Sequence, residues 1–501
     1  MRCGFRGVAL AVAAMPLLVA TAAAQPPGVT EWRATHEKQI VDELRGLVSL
    51  PNVAGNDADM QKNAAALQTL FTRRGFKVEV VGGPGSPVVF AAYETPNAAG
   101  TLTFYIHYDG QPVDAKEWTR CPPFTPCLWS AAGRVPDDPA RTTFDPEWRL
   151  YGRSASDDKA PIVALLNAVE ALKATGKGPT WNLRVVVDGE EEAGSANFRR
   201  FAAARPASLK TDLAITLDGP RHPSNRPTVY FGVRGGAGVT VTVYGAKGDL
   251  HSGNYGNWTP DPSMRLAKLL ATMKDDGGRV LIKDFYKDVR PLTPTETAAL
   301  AAMPNVEAQL MQEFGVSRPE RPEQRLEAKL NEPTLSVLEM STSGIPGRSA
   351  IPGSATARIE VRMVKDLVPE TQNQRIVEHV KAQGYVVVSG REPTDQERRD
   401  HPLLARVDGR RGTPASRVSM DDPKAQAVVK ALTFKGQPPV QLPTLGGSMP
   451  FGTFSDDYAM PTVGVSIVNY DNNQHGPDEN LRLQNLWEGI EMLAAIMTMP
   501  K

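Results

Sequence analysis

The sequence predicts an α/β protein, a mixed central sheet flanked by helices, with a ferredoxin-like α+β domain inserted into it. Two observations carry that prediction. Short apolar runs such as Thr101 to His107 and Asn182 to Val187 alternate with amphipathic helical stretches early in the chain, as strands and helices do in an α/β layer. Near Val229 the character changes to apolar–polar alternation, in FGVRGGAGVTVTVYG, which suits a half-exposed antiparallel strand. A length of 501 residues exceeds what one hydrophobic core usually serves and agrees with two domains.

The elements follow in order. Arg2 and Arg6 precede an apolar run from Val8 to Ala20, and Ala22-Ala23-Ala24 offers a small-residue cleavage point before Gln25. That is the order of a secretory signal. Residues 1–24 are therefore expected to be removed, leaving an exported protein, periplasmic or secreted. An uncleaved anchor is the alternative, but the run is short for a membrane span. Helical patterning covers Thr35 to about Leu50 and Met60 to Arg74, and strands are expected at Phe76–Val81, Val88–Tyr93, Thr101–His107, Asn182–Val187, Leu213–Leu217 and Thr462–Val468. KAPIVALLNAVEALKATG spaces Ile162, Leu165, Leu166, Val169 and Leu172 helically, with Pro161 in the first turn and Gly176 at the end.

Beyond Val229 come a helix from Asp261 to Lys274, strands at Thr334–Met340 and Ala355–Val364, a helix from Glu370 to Gln383 and a strand at Tyr385–Val388. Strand–helix–strand–strand–helix–strand is the ferredoxin-like order. From about Pro402 the chain is expected to return to the first layer, so the layered domain comprises residues 25–227 and 399–501 and the insertion 228–398.

Composition narrows the function. The 56 basic and 56 acidic residues balance to zero, so neither nucleic acid nor an anionic membrane is an indicated partner. Arg406, Arg410 and Arg411, set among Gly409, Gly412 and Pro414, read as a solvated loop. Cys121 and Cys127 lie close together in RCPPFTPCLW. An oxidising compartment permits a disulfide staple there, with two free thiols as the alternative.

Six metal-capable side chains sit in five separated segments: His107 in FYIHYDG, Asp157 in GRSASDDKA, Glu191 and Glu192 in VVVDGEEEAGS, Asp218 in AITLDGP and His475 in NNQHGPDEN. Singly each has an ordinary reading, as a capped surface histidine, a solvated acidic loop, a helix-start charge or a turn former. Jointly, most of them fall at strand ends, and ligands of open α/β sheets bind beyond the carboxyl ends of strands. Two imidazoles with several carboxylates can hold two divalent cations, zinc or manganese. A water shared between two such ions is acidified and oriented for attack.

HxD, GR…DDK, EExGS, a strand ending in Asp and a late His together resemble the co-catalytic zinc metallopeptidases of the M-twenty family. That group includes carnosinases, aminoacylases, succinyl-diaminopimelate desuccinylases and glutamate carboxypeptidases, and the carnosinase-like dipeptidases are nearest. The resemblance spans nearly the whole mature chain. It implies one metal on His107, Asp157 and Asp218 and a second on Asp157, Glu192 and His475, with Asp157 bridging. It implies that Asp109 orients His107 and that Glu191 is the general base. GDLHSG places His251 where carnosinase-like members have a histidine that reaches a partner subunit's site and supports the oxyanion. IPGSATARIEVR places Arg362 as a carboxylate clamp, and LGGSMP adds Gly447 and Ser448 at the same end. Taken singly, His251 is also readable as a turn residue and Arg362 as a surface strand charge. Ala160 departs from the glycine usual after DDK, and the stretch from Cys127 to Trp148 is longer than in typical relatives.

Asp rather than Glu at position 218 accompanies dipeptidases and aminopeptidases in the resembled group. The resemblance thus implies an exported dipeptidase that takes small peptides with a free carboxylate and forms a homodimer through the inserted domain. An N-acyl amino acid amidohydrolase is the alternative within enzymes. A non-catalytic peptide-binding protein is the alternative outside them, and the complete ligand set argues against it.

Overall fold

The computed structural model describes residues 26–82, 85–433 and 437–501; the signal segment expected at residues 1–24 lies outside them. The central sheet is eight-stranded, in the order Lys77–Val81, Val88–Tyr93, Asn182–Asp188, Thr101–His107, Leu213–Thr216, Thr462–Ser466, Thr228–Tyr230, Val440–Leu442. The strands from Asn182–Asp188 to Thr462–Ser466 run parallel, and antiparallel neighbours flank them. The mixed α/β sheet expected from the sequence is thus present.

Side-chain alternation explains why both faces are covered. Phe104 and Ile106 point into the larger core, packed with the helices Glu37–Val48, Lys159–Ala174 and Leu483–Met497, while Tyr105 joins Phe198 and Phe454 on the opposite face. Strands buried on both sides lose the polar alternation of an exposed sheet, as VVVD and LAIT do. The helix Lys159–Ala174 is buried along almost its whole length, because Leu483–Met497 packs against it.

The inserted domain is a five-stranded sheet, ordered Thr334–Thr342, Ser354–Met363, Gly235–Tyr244, Leu404–Gly409, Val386–Val388. The helices Pro262–Ala271 and Pro369–Ala382 pack on it around a core of its own. This corrects the expected domain limits. Leu404–Gly409 pairs antiparallel with Gly235–Tyr244 and parallel with Val386–Val388, so the insertion runs past residue 398. Thr228–Tyr230, conversely, belongs to the main sheet. The ferredoxin-like fourth strand is Leu404–Gly409, and Val386–Val388 is an added parallel edge. Arg406 lies on that fourth strand, not in a loop. Ala405 and Val407 enter the core, whereas Arg406 faces outward and pairs with Asp408 at 2.8 Å and with Glu392.

A small sheet, Asn480–Arg482, Arg149–Tyr151, Cys127–Ser130 and Gly133–Arg134, accommodates part of the long stretch after Cys127. Cys121 and Cys127 are joined as a disulfide. Among the described residues no helix is long and apolar enough to cross a membrane.

Candidate metal centre

The parallel strands deliver their carboxyl ends to one edge. His107 ends its strand opposite Asp188, the last residue of the neighbouring strand, and the glutamate turn begins just beyond. Gly189 makes that turn possible: a Cβ there would lie 2.6 Å from the Tyr108 hydroxyl and 2.8 Å from the Pro87 carbonyl oxygen. The three glutamates then divide. Glu190 turns inward, accepting from the backbone N–H of Ser86 at 2.9 Å and of Asn197 at 3.0 Å. Glu191 and Glu192 project towards the histidines.

Two groups of candidate ligands form, His107–Glu191–Asp218 and Asp157–Glu192–His475, each with donor atoms within 4.8 Å of one another. Asp157 stands between them. Its Oδ1 is 2.9 Å from His107 Nε2, and its Oδ2 is 3.2 Å from His475 Nε2. A carboxylate offering one oxygen to each side has the disposition a bridging ligand needs. Asp218 Oδ2 lies 3.9 Å from His107 Nε2, and Glu192 Oε2 lies 3.4 Å from His475 Nε2. Asp109 ties the parts together: Oδ1 lies 3.2 Å from His107 Nδ1, and its two oxygens accept the Glu191 and Glu192 amides at 3.0 Å each. His107, Asp109, Asp157 and Asp218 are buried, while the His475 side chain is 53 % exposed, so the cluster opens to solvent on that side.

The charge balance fits divalent cations. Burial, and then the charge of Asp218, push Glu191 well above the usual carboxylate range. Burial, and then Asp157, raise Glu192 to about 7, and burial foremost raises Asp218 to about 6. Burial opposes the charged form of His107, yet hydrogen bonds to Asp109 and Asp157 outweigh it and raise the imidazole. The hydrogen bond to Asp157 likewise raises His475. Burial favours protonation of Asp157 too, but both histidines hold it well below its ordinary value. Without cations, therefore, protons supply the positive charge that this acidic cluster requires.

The sign of the linkage is definite. Glu192 and Asp218 hold protons up to about pH 7 and about pH 6 in the folded, metal-free chain, whereas unfolded carboxyls lose them near 4.5 and 3.8. The metal-free fold accordingly loses stability as pH rises through that window. A cation needs deprotonated ligands and must displace the same protons. Binding of Zn²⁺ is expected to release protons at about pH 6, with apparent affinity falling as pH drops below about 7. Calorimetry in buffers of different ionisation heat measures both quantities, and affinity independent of pH across that range would contradict the expectation.

The structure also brings Arg362, Gly447 and Ser448 together. Arg362 Nη1 donates to Ser448 Oγ at 3.3 Å, and the Gly447 carbonyl accepts the Arg234 amide at 2.9 Å. Sequence reasoning missed Arg234. Buried at 5 % exposure, it donates through Nη2 to the Glu332 and Arg362 carbonyls and accepts Ser448 Oγ on its own carbonyl. Gln111 and Gln474 were missed too; their amides donate to Glu192 at 2.7 Å and Asp157 at 2.8 Å. His251 does not join the cluster within one chain. It is exposed, on a two-residue strand paired with Ala350–Ile351, and its Nδ1 accepts the Gly253 amide at 3.1 Å.

The profile of peptidase family M20/M25/M40 matches residues 103–499, the span that holds every one of these groups. The chain belongs to that family. This M20 peptidase is 28% identical over 362 residues to the Cys-Gly metallodipeptidase dug1 of Schizosaccharomyces pombe, covering 68% of this chain and 72% of the relative. It is 25% identical over 428 residues to the human Beta-Ala-His dipeptidase, covering 82% and 77%. The solved structure of the di-peptidase Dug1p from Saccharomyces cerevisiae superposes with a TM-score of 0.76 at 22% identity, covering 94% of this chain and 97% of that one. The M20 peptidase is thus a metallopeptidase whose relatives include metallodipeptidases, and its fold is theirs.

Proposed function

We propose that this M20 peptidase hydrolyses dipeptides and short peptides that carry a free C-terminal carboxylate, with two divalent cations held at the strand ends. The observation that carries the reading is Asp157, one oxygen facing each histidine. His107, Asp157 and Asp218 would hold one ion and Asp157, Glu192 and His475 the other, zinc or manganese by ligand chemistry. When bound, such ions polarise the peptide carbonyl and lower the pKa of a shared water. Asp109 keeps the His107 ring oriented, freeing Nε2 for its ligand role. Glu191, raised by burial and by Asp218, takes the proton of the attacking water and returns it to the leaving amine. Arg362, with Ser448 and the Gly447 loop, receives the substrate carboxylate in a planar fork. The kinship with dipeptidases and the Asp at position 218 favour dipeptides over N-acyl amino acids.

His251 is exposed beside Tyr255 and Trp258, which are 42% and 79% exposed, and the edge strand Thr334–Thr342 exposes Val337, Leu338 and Met340. This apolar surface supports a homodimer through the inserted domain, in which His251 completes the partner's site. The N-terminal pattern supports export, with cleavage near Gln25.

One preparation tests these readings. Metal-loaded mature protein is expected to cleave dipeptides faster than their C-terminal amides or N-acyl amino acids, to sediment as a dimer, and to begin near Gln25 when recovered as exported material. Preference for N-acyl amino acids would transfer the reading to an amidohydrolase, and a fully active monomer would remove His251 from the site.

A further inference from the structure

We propose that Glu479 is a positioning residue: it holds Asp157 and the His475 loop in register and so sets the affinity of the Asp157–Glu192–His475 group for its cation. The inference rests on the two-cation reading above. Glu479 is wholly buried and lies four residues after His475. Its carboxylate collects donors from the turn that carries Asp157. Oε1 accepts the backbone N–H of Ser156 at 3.0 Å, Ser156 Oγ at 2.9 Å and the backbone N–H of Asp157 at 2.9 Å. Oε2 accepts the backbone N–H of Ser154 at 2.9 Å and Arg153 Nη1 at 2.8 Å. The Glu479 carbonyl accepts the Gly152 amide at 3.0 Å, and Arg153 Nη2 reaches back to the His475 carbonyl at 3.3 Å.

A buried carboxylate is costly unless its lone pairs are satisfied, and here they are satisfied five times over, all by one turn. The same bonds satisfy backbone N–H groups that the turn cannot pair within itself; Ser154 has a φ of 62°, in the left-handed region. The carboxylate thereby joins two segments more than three hundred residues apart in the chain. Both supply ligands of one group, Asp157 and His475. The other ion's ligands, His107, Asp157 and Asp218, draw only the shared Asp157 from these segments, whereas this group draws both Asp157 and His475. The Glu479 carboxylate bonds to backbone N–H groups, the Ser156 hydroxyl and the Arg153 guanidinium of the turn, so it acts through Asp157.

Glu479→Gln tests this. The amide keeps the shape but turns an NH₂ towards N–H donors that need an acceptor. On the full chain, chelator competition with Zn²⁺ should show one of the two ions losing about 10–100-fold in affinity, the usual effect of removing an outer hydrogen-bond partner. The other ion should change far less. Glu479→Asp, which keeps the charge, should recover part of the loss, and Ser156→Ala, which removes one donor only, should lower the same affinity by a smaller factor. Circular dichroism and thermal unfolding of the metal-free variants separate this selective effect from a general loss of fold. Folded variants that bind both ions as the parent does would overturn the proposal. So would equal weakening at both sites in step with lost stability. If Glu479→Gln does not fold, unchanged affinities in Glu479→Asp and Ser156→Ala overturn it equally. Failure of the underlying reading shows separately, as a parent chain that binds fewer than two ions.

Discussion

Glu191→Gln is expected to lower kcat by about 10²–10⁴-fold, the range for losing an acid–base group, while metal content stays at the parental value. The Glu191 amide is fixed on Asp109 Oδ1 at 3.0 Å, so the backbone of the turn is held whatever the side chain. Burial and the neighbouring Asp218 raise the carboxyl well above its ordinary value, the direction that strengthens a carboxylate as a base. Glutamine keeps the volume and polarity but cannot take a proton. Turnover within a few-fold of the parent would remove Glu191 from the base role.

Asp157→Ala is expected to cost more than any outer partner, whose removal typically costs 10–100-fold. The variant removes the one carboxylate that faces both histidines. Each imidazole would then lose its hydrogen bond to Asp157, one of those that raise it, and the two candidate groups would lose the ligand they share. Loss of at least one ion per chain after dialysis, with turnover down by more than about 10²-fold, is the expected result. Retention of two ions with near-parental turnover would contradict a bridging role.

Much of the fold was legible because its signals are local. Thr101–His107 and Asn182–Asp188 stand out as apolar runs, and their parallel pairing brings His107 beside the glutamate turn. The terminal helix Leu483–Met497 was not among the expected elements, although Leu483, Leu486, Trp487 and Ile490 stand at helical spacing. The insertion's fourth strand was not expected because Arg406 reads with Arg410, Arg411 and the nearby glycines and proline as a loop, although LARVDG alternates apolar and charged residues. Convergence of the candidate ligands followed from strand ends, and the family resemblance pointed to Asp109 beside His107. Glu479 was not readable that way. The partners of its carboxylate lie 322 to 326 residues earlier, and in sequence it is one more acidic residue in a polar loop. Arg234 was hidden similarly, its partners Glu332, Arg362 and Ser448 being contributed by other segments.

On our proposal, two divalent cations shared through Asp157 give this chain its dipeptidase activity. The proposal can be checked by stepwise titration of the chelated protein with Zn²⁺, following dipeptide hydrolysis at each addition. No turnover is expected without metal, with binding of two equivalents per chain and full activity only when the second is bound. Full hydrolysis with one equivalent, or undiminished hydrolysis in the chelated protein, would contradict it.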